Sequence, residues 1–198
     1  MSVVFFDVGE TLVDETRAWE RHADRLGVPR FTLMGIVGGL AARGESHRRA
    51  WELLGVEPTE PLSPGHSDLY PDALECLGTL RGQGYRLGAS GNMPESFERL
   101  LSAHVDVTGS SQRWGVHKPD GAFFERLAEE AGEPPERIAY VGDRVDNDVV
   151  PARRAGMLAV HVRRGPWGYL QDASEADVRI DSLTELPEVL HRLDGADG

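Results

Sequence analysis

The stretch VVFFDVGETLV, residues 3–13, decides the fold assignment of this 198-residue chain. Four apolar residues run directly into Asp7, and a second short apolar stretch begins only after Gly9, Glu10 and Thr11. A short, continuous apolar run is typical of a strand that is buried on both faces of a parallel sheet. Because a carboxylate at the end of such a strand needs a partner, Asp7 is a candidate functional residue.

Downstream of residue 69, predicted helices and strands alternate regularly. The strands are predicted in YRLGA, VDVT, RIAYVGD, MLAVHVR and ADVRI, and helical segments separate them. Alternation at this pitch predicts an α/β core, with a Rossmann-like parallel sheet covered on both faces. Ligands bind such sheets beyond the carboxyl ends of the strands, where Asp7 also lies.

Between the first strand and this alternation, the chain carries amphipathic helical patterns. We therefore predict a core domain made of residues 1–13 and 70–198, interrupted by a small helical cap at residues 14–69. The segment EPTEPLSPGHSD, residues 57–68, has the composition of a linker. Because the insertion follows the strand that bears Asp7, it should lie over the carboxyl edge of the sheet.

Composition excludes several classes of partner. The formal charge of −12, from 33 acidic and 21 basic residues, argues against nucleic acid as a partner. The chain opens without the pattern of a signal peptide and has no apolar run of membrane-spanning length, so we expect a cytoplasmic protein that does not bind membranes. The lone Cys76 permits no internal disulfide, and the seven histidines lack the spacing of a zinc site.

One basic residue differs from the rest. Of the 21 basic residues, 20 are arginine and only Lys118 is lysine. A position that remains lysine in so arginine-rich a chain suggests a tight space that accepts a compact ammonium but not a planar guanidinium.

Four polar clusters follow predicted strands or flank them. Each alone fits a helix cap or a turn, but turn chemistry does not require all four to converge on one sheet edge. Two carboxylates close together there would repel unless a cation such as Mg²⁺ lay between them, and an added ammonium would suit a phosphoryl group. The clusters are Asp7; Ser90, Gly91 and Asn92; Lys118; and Asp143 with Asn147 and Asp148.

Four motifs together resemble the haloacid dehalogenase superfamily of hydrolases. They are FFDVGETLVDE (5–15), LYPDALECLGTLRGQGYRLG (69–88), HKPDGAFFERLAEEAG (117–132) and YVGDRVDNDVVPARRAGM (140–157), in the order and spacing of that family. The resemblance runs from Val3 to about Leu193, and the insertion is similar to a shortened version of the family's helical cap. It implies a Mg²⁺-dependent phosphohydrolase that acts on a small phosphorylated metabolite.

The resemblance also implies roles for individual residues at the metal site. Asp7 would be the nucleophile and form an aspartyl-phosphate intermediate. Mg²⁺ would be held by the carboxylates of Asp7 and Asp143 and the main-chain carbonyl of Gly9. Asp148, with Asn147, would complete the site through water or by orienting the loop.

The substrate side follows from the same resemblance. Lys118 would bridge the phosphate and Asp7, and Thr11 would steady the first loop by a hydrogen bond. Substrate binding is assigned to Ser90, Gly91 and Asn92. Gly91 stands where the family usually has a serine or threonine, and Ser90 is one residue early, which on a strand turns its side chain to the other face.

The largest departure from the family pattern is Gly9. The family's phosphatases carry an aspartate there, which protonates the leaving oxygen and later activates water. Such acid–base catalysis contributes on the order of a hundred- to ten-thousand-fold in rate. Either the substrate has a good leaving group or another carboxylate, Glu10, Asp14 or Glu15, reaches the site.

Two alternative functions remain open at this stage. An L-2-haloacid dehalogenase would lack the second aspartate and work without metal, with Arg30 and Arg43 as candidates to cradle a halide. The acidic loop at 140–148 disfavours it, because uncompensated like charges are costly. A weakly active or non-catalytic member that binds a phosphorylated ligand also fits the two departures. The sequence leaves the oligomeric state open.

Overall fold

A computed structural model describes residues 1–58 and 63–196 of the chain. Its centre is a parallel sheet with the strand order β3-β2-β1-β4-β5-β6, which confirms the α/β, Rossmann-like class predicted from the alternation. The strands are β1 (Val3–Phe6), β2 (Arg86–Gly91), β3 (Val107–Ser110), β4 (Ile138–Gly142), β5 (Leu158–Val162) and β6 (Val178–Ile180).

Helices connect the strands and cover both faces of the sheet. They are α1 (Thr16–Leu26), α2 (Arg30–Ala42), α3 (Arg49–Leu54), α4 (Pro71–Gly82), α5 (Glu98–Leu101), α6 (Ser111–Trp114), α7 (Gly121–Ala131), α8 (Val150–Arg154), α9 (Gly165–Leu170) and α10 (Leu186–Ala196). No helix within residues 1–58 and 63–196 is long and apolar enough to cross a membrane.

The central strand β1 shows why its sequence is apolar throughout. Val4 and Phe6 pack into the hydrophobic cluster on one face of the sheet, and Val3 and Phe5 pack into the cluster on the other face. All four side chains are almost completely buried, as expected for a central strand of a doubly covered parallel sheet. The strand therefore delivers the residue that follows it, Asp7, to a fixed position at the carboxyl edge.

The helices α1, α2 and α3 form an insertion between β1 and α4. They share a hydrophobic cluster that includes Leu33, Leu40 and Trp51, and the cluster also contains Trp167 from α9 of the sheet domain. Of the four glycines at residues 31–44, the three that lie within α2 do not break it, because its apolar side chains are buried in this cluster, and the helix ends at Ala42, before Gly44. The boundaries of a cap at residues 14–69 stay a prediction.

The two connections into the insertion run side by side. The main-chain N–H of Asp14 donates to the carbonyl of Asp68 at 2.7 Å, and that of Tyr70 donates to the carbonyl of Leu12 at 2.9 Å. These paired connections fix the first residues of the insertion over the loop that follows β1.

Two segments differ from what their sequences favour, and a third lies partly outside the residues that the structure describes. RRGPWG, residues 163–168, has the glycine and proline content of a turn, but Gly165–Leu170 is helical, and its proline occupies a first-turn position, where its missing N–H costs nothing. The helical segment between β2 and β3 is short, with only α5 following a 3₁₀ turn. The predicted linker at 57–68 includes residues 59–62, which lie outside the described residues.

Candidate active site

The parallel register brings several strand ends to one edge. Phe6 lies opposite Ala89 of β2 and Val141 of β4, so the loops after all three strands begin side by side. The main-chain N–H of Asp7 donates to the carbonyl of Val141 at 2.8 Å, which extends the pairing by one residue. Asp7 thus lies between the loop that begins near Gly91 and the loop that carries Asp143.

The ammonium group of Lys118 lies at the centre of this edge. Its Nζ donates to Oδ1 of Asp7 and to Oδ1 of Asp148, both at 2.5 Å, and to the hydroxyl of Tyr140 at 3.0 Å. The Lys118 side chain is 1% exposed. The sole lysine therefore occupies a closed space between two carboxylates, which a guanidinium would not fit.

Asn92 positions Lys118 through the main chain. Its side-chain amide donates to the Lys118 carbonyl at 2.8 Å, and its side-chain oxygen accepts from the Lys118 N–H at 2.8 Å. Because both ends of the Asn92 side chain are engaged, its contribution to a substrate site would come from its main-chain N–H.

Three carboxylates form the group best suited to a cation. One oxygen each from Asp7, Asp143 and Asp148 lies within 4.8 Å of the others, and all three residues are buried. Oxygen-only ligands at this spacing fit Mg²⁺. Asp148 also accepts from the N–H of Arg144 at 3.1 Å, which ties the metal-site loop to itself.

The local backbone explains how Asp148 reaches the site. Val145–Val149 form a π-helical turn, a feature common at functional sites, and Asn147 lies in the same turn. A Cβ on Gly142 would lie 2.5 Å from Cβ and Cγ of Asp148. The glycine at the end of β4 is therefore required for space, because the Asp148 side chain packs directly against it.

The electrostatics of this cluster depend on charge compensation. Burial alone would lower the pKa of Lys118, but the carboxylates of Asp148 and Asp7 raise it well above its ordinary value, so the group stays an ammonium. Burial raises the pKa of Asp143 well above the usual range for a carboxyl, and the charges of Asp148 and Asp7 add to the effect. A bound divalent cation would reverse that shift, since it favours the ionised carboxylate.

Of the residues assigned to phosphate binding, Gly91 faces Asp7 and the side chain of Ser90 does not. A Cβ on Gly91 would lie 3.3 Å from Oδ1 of Asp7, so this position faces the nucleophile candidate and leaves room beside it. Side chains alternate along a strand, so the Ser90 side chain points to the other face. Its hydroxyl is buried and has no hydrogen-bond partner among the residues that the structure describes. A phosphate beside Asp7 would therefore meet the main chain of Gly91 and Asn92 rather than the Ser90 hydroxyl.

The loop after β1 brings a carboxyl group from the insertion onto Gly9. An added Cβ on Gly9 would lie 2.6 Å from Oε1 of Glu15. Glu10, which has a positive φ of 54°, points elsewhere: its Oε2 accepts from the hydroxyl of Tyr70 at 2.6 Å, and its Oε1 accepts from the N–H of Glu15 at 3.0 Å. Burial raises the pKa of Glu15 to about 8, and the carboxylates of Glu10 and Asp7 add to that shift.

The comparisons with known proteins agree with this architecture. A family model described as haloacid dehalogenase-like hydrolase matches residues 1–156. The chain belongs to this family. It is a hydrolase, as the sequence predicted.

Individual relatives point in the same direction. Glyceraldehyde 3-phosphate phosphatase of Pyrococcus furiosus is 31% identical, over 100% of this chain and 96% of its own length. Among solved structures, a predicted phosphoglycolate phosphatase from Haemophilus somnus is 20% identical, with a TM-score of 0.71. The match covers 96% of this chain and 98% of that protein's chain. An L-2-haloacid dehalogenase is 16% identical with a TM-score of 0.73, covering 96% and 99%. At these identities the solved structures show the fold alone.

Two arginines considered for a halide lie elsewhere in this hydrolase. Arg30 forms ion pairs with Asp24 at 2.7 Å and Glu20 at 3.1 Å, and Arg43 forms one with Glu45 at 2.6 Å. Both side chains are exposed and engaged at the surface. Thr11 forms its hydrogen bonds through the main chain, since its carbonyl accepts from Arg164 at 2.9 Å, and its buried Oγ1 has no partner among the described residues.

Sequence reasoning missed two residues that build the site. Tyr140 lies inside the apolar strand β4, where nothing marks its hydroxyl as a partner of Lys118. Arg164 donates to the carbonyl of Thr11 at 2.9 Å and also pairs with Asp72 of α4. A buried arginine that joins the first loop to α4 has no local motif, and only the three-dimensional contact reveals it.

Proposed function

We propose that this hydrolase is a Mg²⁺-dependent phosphatase in which Asp7 accepts the phosphoryl group. The observation that carries the proposal is the cluster around Lys118, whose Nζ lies 2.5 Å from both Asp7 and Asp148. An ammonium held against a carboxylate at the open edge of a parallel sheet suits transfer of an anionic group to that carboxylate.

The reaction follows from the residues at this edge. A free oxygen of the Asp7 carboxylate attacks the phosphorus in line, and the bond to the leaving oxygen breaks. Lys118 pairs with Asp7 and offsets the negative charge of the phosphoryl oxygens, while the N–H groups of Gly91 and Asn92 hold them. Water then hydrolyses the aspartyl phosphate and regenerates the carboxylate.

The metal belongs to the same proposal. Asp7 and Asp143, with the carbonyl of Gly9, would hold Mg²⁺, and Asp148 would complete the site directly or through water. Mg²⁺ bound there supplies charge neutralisation for the transferring group. The three buried carboxylates support this, because one ammonium cannot compensate all of them.

The proposed substrate is a small phosphorylated metabolite. The relative named glyceraldehyde 3-phosphate phosphatase supports a short phosphate ester as the first substrate to test. The proposal concerns the class of substrate, since the residues of the insertion that face the substrate vary among members of a fold.

The direct test is phosphate release with and without Mg²⁺. Purified protein is assayed on glyceraldehyde 3-phosphate, 2-phosphoglycolate, p-nitrophenyl phosphate and acetyl phosphate, beside Asp7→Asn. We expect Mg²⁺-dependent turnover by the wild type and a loss of at least about a thousand-fold in the variant, because the nucleophile is removed.

The other outcomes separate the alternative functions. Halide release from L-2-chloropropionate without metal would identify a dehalogenase, which the surface positions of Arg30 and Arg43 disfavour. Tight binding of a phosphate ester without turnover would identify a ligand-binding member. Either result would overturn the phosphatase proposal.

A further inference from the structure

We propose that the carboxyl group of Glu15 is the acid–base catalyst of this hydrolase and takes the place left by the missing side chain at Gly9. The proposal rests on the phosphatase function proposed above. It assigns a role to a residue of the insertion, eight positions after the nucleophile.

The space above Gly9 carries the proposal. A Cβ added to Gly9 would lie 2.6 Å from Oε1, 2.9 Å from Cδ and 3.3 Å from Oε2 of Glu15. The Glu15 carboxyl therefore occupies the volume that the first atom of any residue-9 side chain would need. Gly9 is not in the left-handed region of backbone conformation, so no turn requires a glycine there. The glycine and the glutamate form one complementary pair.

The two other nearby carboxylates have structural duties. Glu10 holds the Tyr70 hydroxyl with one oxygen and the N–H of Glu15 with the other. Asp14 accepts from the N–H of Thr16, the first residue of α1, at 2.8 Å. Both are used by hydrogen bonds that shape the chain, and the bond from Glu10 fixes the main chain of Glu15.

The Glu15 carboxyl group has a different kind of partner, a hydrogen bond from the side chain of Trp19. Within residues 1–58 and 63–196, no lysine or arginine forms an ion pair with its carboxyl group, although it is close enough to Asp7 to feel that charge. Asp148, by contrast, is paired with Lys118, and Asp143 belongs with Asp7 and Asp148 to the candidate metal group. Glu15 is therefore the carboxyl group that occupies the space above Gly9, and among the described residues it forms no ion pair.

The proton balance is simple. As the bond between Asp7 and phosphorus forms, the bond to the leaving oxygen breaks, and the Glu15 carboxyl gives its proton to that oxygen. The resulting carboxylate takes a proton from water as the water oxygen attacks the aspartyl phosphate. The Asp7–phosphorus bond breaks, phosphate departs and Glu15 is protonated again.

The test is the leaving-group dependence of Glu15→Gln, which keeps the shape of the side chain. With an alkyl phosphate such as glycerol 3-phosphate, we expect kcat/KM to fall about a hundred- to ten-thousand-fold. With p-nitrophenyl phosphate, whose leaving group needs no proton, we expect a burst of p-nitrophenol equal to the enzyme concentration. Slow turnover should follow, because hydrolysis of the aspartyl phosphate has lost its base.

Two further variants sharpen the result. Asp14→Asn is the matched control and should retain wild-type turnover on both substrates. Gly9→Asp combined with Glu15→Ala should hydrolyse the alkyl phosphate at least about ten times faster than Glu15→Ala alone, because the deletion clears the space that the aspartate needs.

Several outcomes would overturn the assignment. For Glu15→Gln, these are equal losses of kcat/KM on alkyl and p-nitrophenyl phosphates without a burst, a change in KM alone, or an unchanged rate. For the Gly9→Asp, Glu15→Ala double variant, the contradicting result is a rate no higher than that of Glu15→Ala. Wild-type activity that depends on Asp7 but not on Glu15 would refute this inference and leave the phosphatase proposal intact. Absence of Asp7-dependent turnover would refute both.

Discussion

The two sides of the candidate active site are built on different principles. On the sheet side, Asp7 and Asp148 contact Lys118 at 2.5 Å, and each element is fixed by strand pairing or by buried hydrogen bonds. On the insertion side, Glu15 extends back from the start of α1 and has no paired cation among the described residues. Its carboxyl group is accommodated by the missing side chain of Gly9 and not by an opposite charge.

This difference separates two tasks. On the sheet side, each carboxylate either pairs with the ammonium group of Lys118 or is placed to bind a cation. The insertion side holds a carboxyl whose raised pKa suits proton transfer. A residue of the insertion, Glu15, can therefore replace the acid–base side chain that is missing at residue 9, while the groups at the strand ends keep their positions.

Replacing Lys118 should have the largest effect, because it removes the centre of the sheet side. For Lys118→Met we expect kcat/KM on p-nitrophenyl phosphate to fall about a hundred- to a thousand-fold, since a charge that stabilises the transition state is lost. The free energy of unfolding should fall by about 3–5 kcal/mol, because two buried carboxylates lose their shared partner. Steady-state kinetics and urea denaturation measure the two quantities.

Tyr140→Phe is the matched control for that variant. It removes one neutral partner of Lys118 and keeps the ammonium, so the loss of stability should be about 1 kcal/mol and the loss of activity below about tenfold. If Lys118→Met behaved like Tyr140→Phe in both assays, the ammonium would not be the centre of the site.

The second prediction concerns the metal, and its readout is thermal stability. Adding Mg²⁺ should raise the melting temperature of the wild type, because an ion that binds only the folded chain stabilises it. Asp143→Asn should show little of this gain. Without Mg²⁺, the variant should melt at or above the wild-type temperature, because one member of a buried group of like charges is gone.

Asp146→Asn provides the comparison for Asp143→Asn. Asp146 lies in the same loop, but its side chain is exposed and pairs with Arg144 at 2.7 Å. This variant should keep the full stabilisation by Mg²⁺. Equal gains in Asp143→Asn and wild type would remove Asp143 from the metal site.

The third and smallest effect lies on the insertion side. His47 packs edge-on against Trp19 and Trp167, with ring centroids 5.7 and 6.1 Å apart, and burial lowers its pKa to about 4, with Arg144 contributing. Between about pH 6.5 and pH 4, the unfolded chain therefore binds a proton that the folded chain does not. Stability falls as the pH falls through this window.

His47→Gln should flatten that dependence. We expect the wild type to lose on the order of 2–3 kcal/mol more than the variant between pH 7 and pH 4, which follows from the depressed pKa of the folded state. Urea denaturation at both pH values measures the difference. Parallel curves for the two proteins would contradict the packing of His47 between the insertion and α9.

The sequence predicted the sheet side far better than the insertion side. The apolar run before Asp7 predicted β1, and the lone Lys118 in an arginine-rich chain indicated a tight ionic environment, which the structure bears out at 1% exposure. Both signals are local: strand burial and residue type are visible in a short window.

The remaining features depend on the path of the chain. Glu10, Asp14 and Glu15 are equivalent candidates in sequence, and only the positive φ at Glu10 and its bond to Tyr70 select among them. The contact of Tyr140 with Lys118 joins residues 22 positions apart, with helix α7 between them. Such contacts follow from tertiary packing, which propensity and periodicity do not encode.

The most direct measurement of the central claim is chemical trapping of the phosphorylated residue. Protein quenched during turnover of p-nitrophenyl phosphate is treated with borohydride, which reduces an acyl phosphate to an alcohol, and is then mapped by peptide mass spectrometry. The account predicts conversion of Asp7 to homoserine, with greater yield in Glu15→Gln than in the wild type. Turnover with an unmodified Asp7, or with modification at another carboxylate, would contradict it.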